Sequence, residues 1–236
     1  MPTQTLRIAS RDRGTFDAHL AIPEGTARVP GIVIASSVFG VNADVRGIAA
    51  EFAAKGYLAL APDLFWRTVP GPLRREVKEE ADQAIARSQP RMEKLKTGEA
   101  DLADALAELR RHPRSNGRVA VIGLCYGGPY AVIGPKRLGY DAGVSCHGTD
   151  MLPFLEEMAG STRPVQVIWG DQDHAAPPPV IEAWRKAAAS MQNLKVDIFP
   201  GRLHGYMMRE NAKAFDAEAY SFSMARACDL LAALRS

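Results

Sequence analysis

The side chains that could do chemistry fall at three points of the chain. Cys125 sits in Gly123-Leu124-Cys125-Tyr126-Gly127-Gly128, directly after the apolar run Val119-Ala120-Val121-Ile122. That run reads as a short strand buried on both faces, and a helix-compatible segment follows the turn. Strand, sharp turn with a reactive side chain at its centre, then helix is the pattern that lifts a nucleophile above the end of a sheet, here with sulfur in place of the commoner hydroxyl. Glycines two residues on either side let the two backbones approach around a central residue held in a strained conformation. The start of the following helix favours a developing anion. Asp173 follows an expected strand over 164–169, and His204 lies in Gly201-Arg202-Leu203-His204-Gly205 after an expected strand over 194–199. Together they supply a nucleophile for a carbonyl carbon, a base to take its proton, and a carboxylate to fix the base's tautomer and stabilise the imidazolium. Asp171 competes for the carboxylate role. Asp173 is preferred because the spacing from Gly170 leaves room for the chain to turn back toward the histidine loop. Of the five histidines, His112 ends a helix before Pro113, and His147 and His174 sit on loops outside this order.

An anionic intermediate needs two N–H donors. Tyr126, directly after the nucleophile, supplies one. The other is expected from the loop after an apolar strand over 31–35, around Val38; the Ser36-Ser37 pair in that loop reads alternatively as a helix cap.

The elements that must hold these residues follow from periodicity. Residues 5–22, with Arg11-Asp12-Arg13-Gly14 in the middle, read as an antiparallel hairpin at a sheet edge. Helices are expected over 46–56, through the charged stretch around Glu76 and Ala84, over 101–112, over 180–191 and over 214–234, and further strands over 57–61 and 141–147. Gly134-Pro135 should end the helix after the cysteine early, and residues 149–163 read as a loop or short helix. Strands alternating with helices at this spacing give an α/β class with a mostly parallel sheet flanked by helices, and ligands then sit beyond the carboxyl ends of the strands. The order Cys, Asp, His is that of α/β hydrolases. The chain shows no internal repeat and no linker that would divide it, so 1–236 is expected to form a single domain.

Composition narrows the partners. With 29 basic and 27 acidic residues the net charge is +2, which gives no electrostatic case for nucleic acid or a membrane surface. No run approaches a membrane span, and the N-terminal residues lack a signal peptide's apolar stretch, so a cytoplasmic location is expected. Cys125, Cys146 and Cys228 are sparse and lack C-x-x-C spacing, which suggests neither a disulfide framework nor a metal site. The expected partner is a small molecule, on a monomer or small homo-oligomer.

Phe39-Gly40-Val41-Asn42, Ala61-Pro62-Asp63-Leu64, the glycine-flanked Cys125, Gly170-Asp171-Gln172-Asp173-His174 and the His204 loop resemble the dienelactone hydrolase (carboxymethylenebutenolidase) family over nearly the whole chain. The resemblance implies an α/β-hydrolase fold and cofactor- and metal-independent opening of a carboxylate-bearing enol-lactone through an acyl-enzyme. It assigns Cys125, Asp173 and His204 as triad, and the N–H groups of Val38 and Tyr126 as anion donors. Ser37 stands where the family usually has a glutamate that holds the resting thiol neutral, although Asp44 is another acid able to fill that space. The family's carboxylate-binding arginines have no clear match among Arg74, Arg75, Arg87, Arg91 and Arg209. Ser37, Phe39, Arg87 and Arg209 are the candidate substrate contacts. A general carboxylesterase or thioesterase, and a non-catalytic binding protein of the same fold, are the competing readings.

Overall fold

In a computed structural model describing residues 2–235, the chain forms two compact units, one running up to Val119 and including Arg235, the other spanning Ala120–Leu234. Strands β1 (Thr3–Ala9) and β2 (Thr15–Ala21) make the expected hairpin, in register from Thr3↔Ala21 to Ala9↔Thr15. Its turn closes with the Ser10 N–H on the Gly14 carbonyl at 3.0 Å, and Arg13 and Gly14 both adopt positive φ. β2 pairs antiparallel with β4 (Leu58–Pro62), which lies parallel to β3 (Val29–Ala35). β3 and β4 are buried almost throughout, as strands covered on both faces must be.

Helix α1 (Ala43–Ala54) starts where Asn42 accepts a hydrogen bond from the Val45 N–H at 3.2 Å, so Asn42, not Ser36 or Ser37, is the cap. Helix α2 (Lys78–Arg87) matches the charged helix expected. Helix α3 spans Arg91–Arg111 and begins well before the expected start at 101. Gly98 hides that extension from a propensity reading, since a mid-helix glycine costs about 1 kcal/mol. Leu95 and Gly98 are nevertheless buried in line with Leu102, Leu106 and Leu109, and that packing outweighs the cost.

In the second unit, residues 120–124 of β5 (Ser115–Leu124) pair parallel with β6 (Ala142–Cys146), followed in order by β7 (Val165–Gln172) and β8 (Leu194–Leu203). Helix α4 (Gly128–Ile133) packs on β6, α5 (Pro178–Ser190) on β8, and α6 (Ala217–Ala232) on β6 and β7. As expected, α4 stops before Gly134-Pro135; one wider turn over Gly134–Leu138 completes the segment. The stretch 149–163 contains a short 3₁₀ segment, Leu152–Met158. β7 and β8 run further than the sequence suggested, with a register irregularity between Gly170 and Gln172. The class is α/β with mostly parallel pairing, and among the described residues no helix is long and apolar enough to cross a membrane.

The α4–β6 contact leaves no room for a side chain at Gly143, where a Cβ would stand 1.8 Å from the Ala131 carbonyl oxygen. Gly47, exposed on α1, has open space around it. Gly143→Ala should therefore destabilise the fold by more than about 2 kcal/mol, while Gly47→Ala should stabilise it by about 0.5–1 kcal/mol. Urea unfolding midpoints of the two variants, moving in opposite directions, check this.

Candidate active site

Each of the three expected residues stands immediately past a strand: Cys125 after β5, Asp173 after β7, His204 after β8. The extra length of β7 and β8 does this, carrying the strands to the doorstep of both side chains. At the turn, Cys125 adopts φ +53°, a left-handed conformation that costs a non-glycine residue energy. Gly123 makes it sterically feasible, since a Cβ there would lie 2.1 Å from the Gly127 carbonyl oxygen. The Cys125 carbonyl is held by the Gly128 N–H in a 3₁₀ turn and by the Thr149 N–H at 3.1 Å. The short α4, six residues long, carries little of a helix dipole, so the expected help from it is minor.

His204 links the other two. Its Nδ1 lies 2.9 and 3.1 Å from the two Asp173 carboxylate oxygens, and its Nε2 lies 3.2 Å from Cys125 Sγ. Asp173 is buried, and the His204 side chain is 16% exposed, enough for a substrate to reach it. Burial works against a charged imidazole, but the hydrogen bonds to Asp173 and to Cys125 outweigh it, and the His204 pKa is raised to about 10. Asp171 is occupied elsewhere: its Oδ1 accepts the Gly201 N–H at 2.6 Å and so shapes the histidine loop. Two further rings touch His204, buried His147 at 5.1 Å and exposed His174 at 4.9 Å between centroids. Read by chain order, neither histidine had a role. The available signal was position, because His147 directly follows β6 as the three expected residues follow their strands. Cys146, in contrast, is fully buried and its thiol is pushed up to about 12 by that burial.

The other candidates lie in the first unit, apart from Tyr126 and Arg209. Tyr126 follows the cysteine in the 3₁₀ turn and is buried. Ser37 is buried with its Oγ accepting the Phe39 N–H at 3.3 Å. Phe39 packs with Leu73 and Ala84 beneath the Arg75 guanidinium, 4.2 Å from its ring. Arg87 corrects the expectation that it meets substrate. It is 4% exposed, and Nε and Nη2 donate to the Val38 carbonyl at 2.9 and 2.7 Å while Nη1 donates to the carbonyls of Val69 and Gly71 at 2.7 and 2.8 Å. Its three nitrogens are committed to the backbone, and burial lowers its pKa to about 10. Arg87 is a clamp on the Val38 loop. Arg74 pairs with Glu80, and exposed Arg209 lies 4.4 Å over the Tyr220 ring. Among the described residues no cluster of His, Cys, Asp and Glu could hold a metal ion. Three cavities, of about 580, 530 and 770 Å³, are lined by neither Cys125, Asp173 nor His204.

Comparison with known proteins bears on what this arrangement serves. The sequence model of the dienelactone hydrolase family matches residues 16–234. Carboxymethylenebutenolidase of Pseudomonas putida is 30% identical over 236 residues, covering 100% of this chain and 99% of the relative. A proposed dienelactone hydrolase from Klebsiella pneumoniae subsp. pneumoniae superposes with a TM-score of 0.82 at 19% identity, covering 98% of each chain. A lidless α/β serine hydrolase from Xanthomonas campestris superposes with a TM-score of 0.64 at 13% identity over 100% of this chain and 97% of its own. The fold is thus that of the α/β hydrolases. With full-length sequence agreement added, the chain belongs to the dienelactone hydrolase family and is a hydrolase of lactone or ester substrates.

Proposed function

We propose that this hydrolase opens a small lactone or activated ester through a Cys125–His204–Asp173 triad and an acyl-enzyme. The observation that carries the reading is the continuous hydrogen-bonded line from the Asp173 carboxylate through both nitrogens of His204 to Cys125 Sγ. In the first step the sulfur attacks the carbonyl carbon, and the carbonyl electron pair moves to oxygen to give a tetrahedral anion. The anion collapses, the ring C–O bond breaks, and the departing oxygen takes a proton from the His204 Nε2. Water then attacks the thioester with His204 as base, and the carboxylic acid leaves as the thiol or thiolate is regenerated. A thiolate leaves more readily than an amine, so sulfur suits enol-lactones, thioesters and other activated esters over amides. Tyr126 N–H, directly after the nucleophile, is a donor for the anion. The unbroken family match over 16–234 supports treating the chain as one functional domain.

The raised His204 pKa favours a resting thiolate–imidazolium pair, because every contact that lifts it also stabilises the proton on nitrogen rather than sulfur.

Cys125→Ala should lower kcat at least about a thousandfold and abolish the acylation burst with p-nitrophenyl acetate. Retention of a tenth of wild-type activity places the nucleophile elsewhere, and a wild-type protein with no burst and no turnover on a panel of lactones, esters and thioesters is a binding protein.

Asp173→Asn should cost on the order of ten-thousandfold in kcat, because an amide favours the wrong tautomer, whereas Asp171→Asn keeps an oxygen for Gly201 and should cost far less. Equal losses would reject the assignment.

Activity should fall as pH rises through about 10, where His204 loses the proton it gives to the leaving oxygen. Asp173→Asn should move this alkaline limb to lower pH, since it removes the acceptor that raises the pKa. An alkaline limb that stays in place in kcat/KM profiles contradicts the role.

A further inference from the structure

The geometry points to buried His147 as a positioning residue that fixes the ring of His204; this rests on His204 being the base of the proposed triad. The histidine loop has little stiffness of its own, because glycines at positive φ stand on both sides of it, Gly201 at +71° and Gly205 at +84°. Asp173 fixes where Nδ1 points, but a histidine's terminal torsion is broad, and two acceptor oxygens on one side leave the ring free to roll about that line. His174 meets the ring too but is exposed, so His147 supplies the buried wall. Its ring meets His204 edge to face, 5.1 Å between centroids at 84°, and meets Tyr206 likewise at 5.3 Å and 78°.

The wall is itself held from behind. Tyr206 is fully buried and its hydroxyl lies 2.9 Å from Ser223 Oγ on α6. The His147 N–H donates to the Ile168 carbonyl of β7 at 2.8 Å, and its backbone stands at φ +42°, in the left-handed region that a side-chain-bearing residue occupies at a cost. The turn is then locked on: the Gly148 carbonyl accepts the Trp169 indole N–H at 2.9 Å, and a Cβ at Gly148 would strike Ser145 Oγ at 2.5 Å. One residue further, the Thr149 N–H holds the Cys125 carbonyl. A single strained turn after β6 thus touches the ring of the base and the backbone of the nucleophile, and it sets the distance between them. Displacements of about 1 Å in such a pair cost on the order of a hundredfold in rate.

The test uses His147→Asn, which keeps a residue tolerant of the left-handed backbone but removes the ring, and His147→Phe, which restores an aromatic wall. His147→Asn should lower kcat roughly ten- to a hundredfold with KM nearly unchanged. It should also raise the pH of half-maximal Cys125 alkylation by iodoacetamide, because a misplaced imidazolium stabilises the thiolate less. His147→Phe should recover most of both. In a His204→Gln background the loss of His147 should cost nothing more, since it acts through that ring. Wild-type kcat and alkylation profile in His147→Asn overturn the inference, as does a full further loss in the His204→Gln background. If His147→Asn does not accumulate folded, Tyr206→Phe carries the test: it frees the wall from Ser223, and a several-fold loss of kcat with the same direction of alkylation shift supports the role, while an unchanged profile rejects it. Wild-type activity in His204→Gln alone would remove the triad reading and this inference with it, whereas an inactive His204→Gln beside an unaffected His147→Asn removes only the inference.

Discussion

The site depends on backbones that come closer than any side chain would permit. A Cβ at Gly123 would collide with the Gly127 carbonyl, one at Gly128 would lie 2.4 Å from Gly148 Cα, and one at Gly143 would collide with the Ala131 carbonyl. These contacts press the turn after β5 against the helix that follows it and that helix against β6. Cys125 is held at φ +53° as a result, with Thr149 securing its carbonyl. The strain is maintained by packing and not by any property of cysteine, so the reactive geometry is a consequence of how tightly α4 lies on the sheet.

Two buried or half-buried cations are handled in opposite ways. His204 has a carboxylate on one side and a sulfur on the other, and those contacts raise its pKa to about 10. Arg87 has only carbonyl dipoles in hydrogen-bonding contact, four bonds to three carbonyls, with Asp63 acting from further away. A guanidinium ties two backbone segments together, the Val38 loop and the Val69–Gly71 stretch, because its donors lie in a fixed planar fork, which a lysine could not imitate. One cation sits between two ionisable partners; the other is a rivet.

The sequence made the parallel α/β class legible because β3, β4 and β5 are short apolar runs bounded by turn residues, and it brought Cys125, Asp173 and His204 into view because each sits beside glycines past such a run. Strand lengths were less legible. Gly170, Asp171, Pro200 and Gly201 look like loop residues, yet the chain stays paired through them around an irregularity. The start of α3 was hidden by Gly98, whose cost is local while the packing that overrides it comes from other elements. Arg87 was misread because a lone arginine in a charged helix gives no sign that three carbonyls converge on it. His147 was passed over for a similar reason, since contact with His204 joins elements far apart in sequence.

The outer strands of the two units show how the molecule treats its exposed backbone. β1 presents mostly exposed side chains and pairs Arg7 with Asp17 across the hairpin. β8 carries Lys195 and Asp197, then Pro200, which has no N–H to offer a neighbouring strand, close to the irregular pairing with β7. Charge, proline and a broken ladder are the features that make a strand a poor template for another chain. The same stretch of β8 that delivers His204 to the site is therefore also protected against edge-on aggregation, and substitutions that smooth it into a regular, apolar strand would trade solubility for regularity.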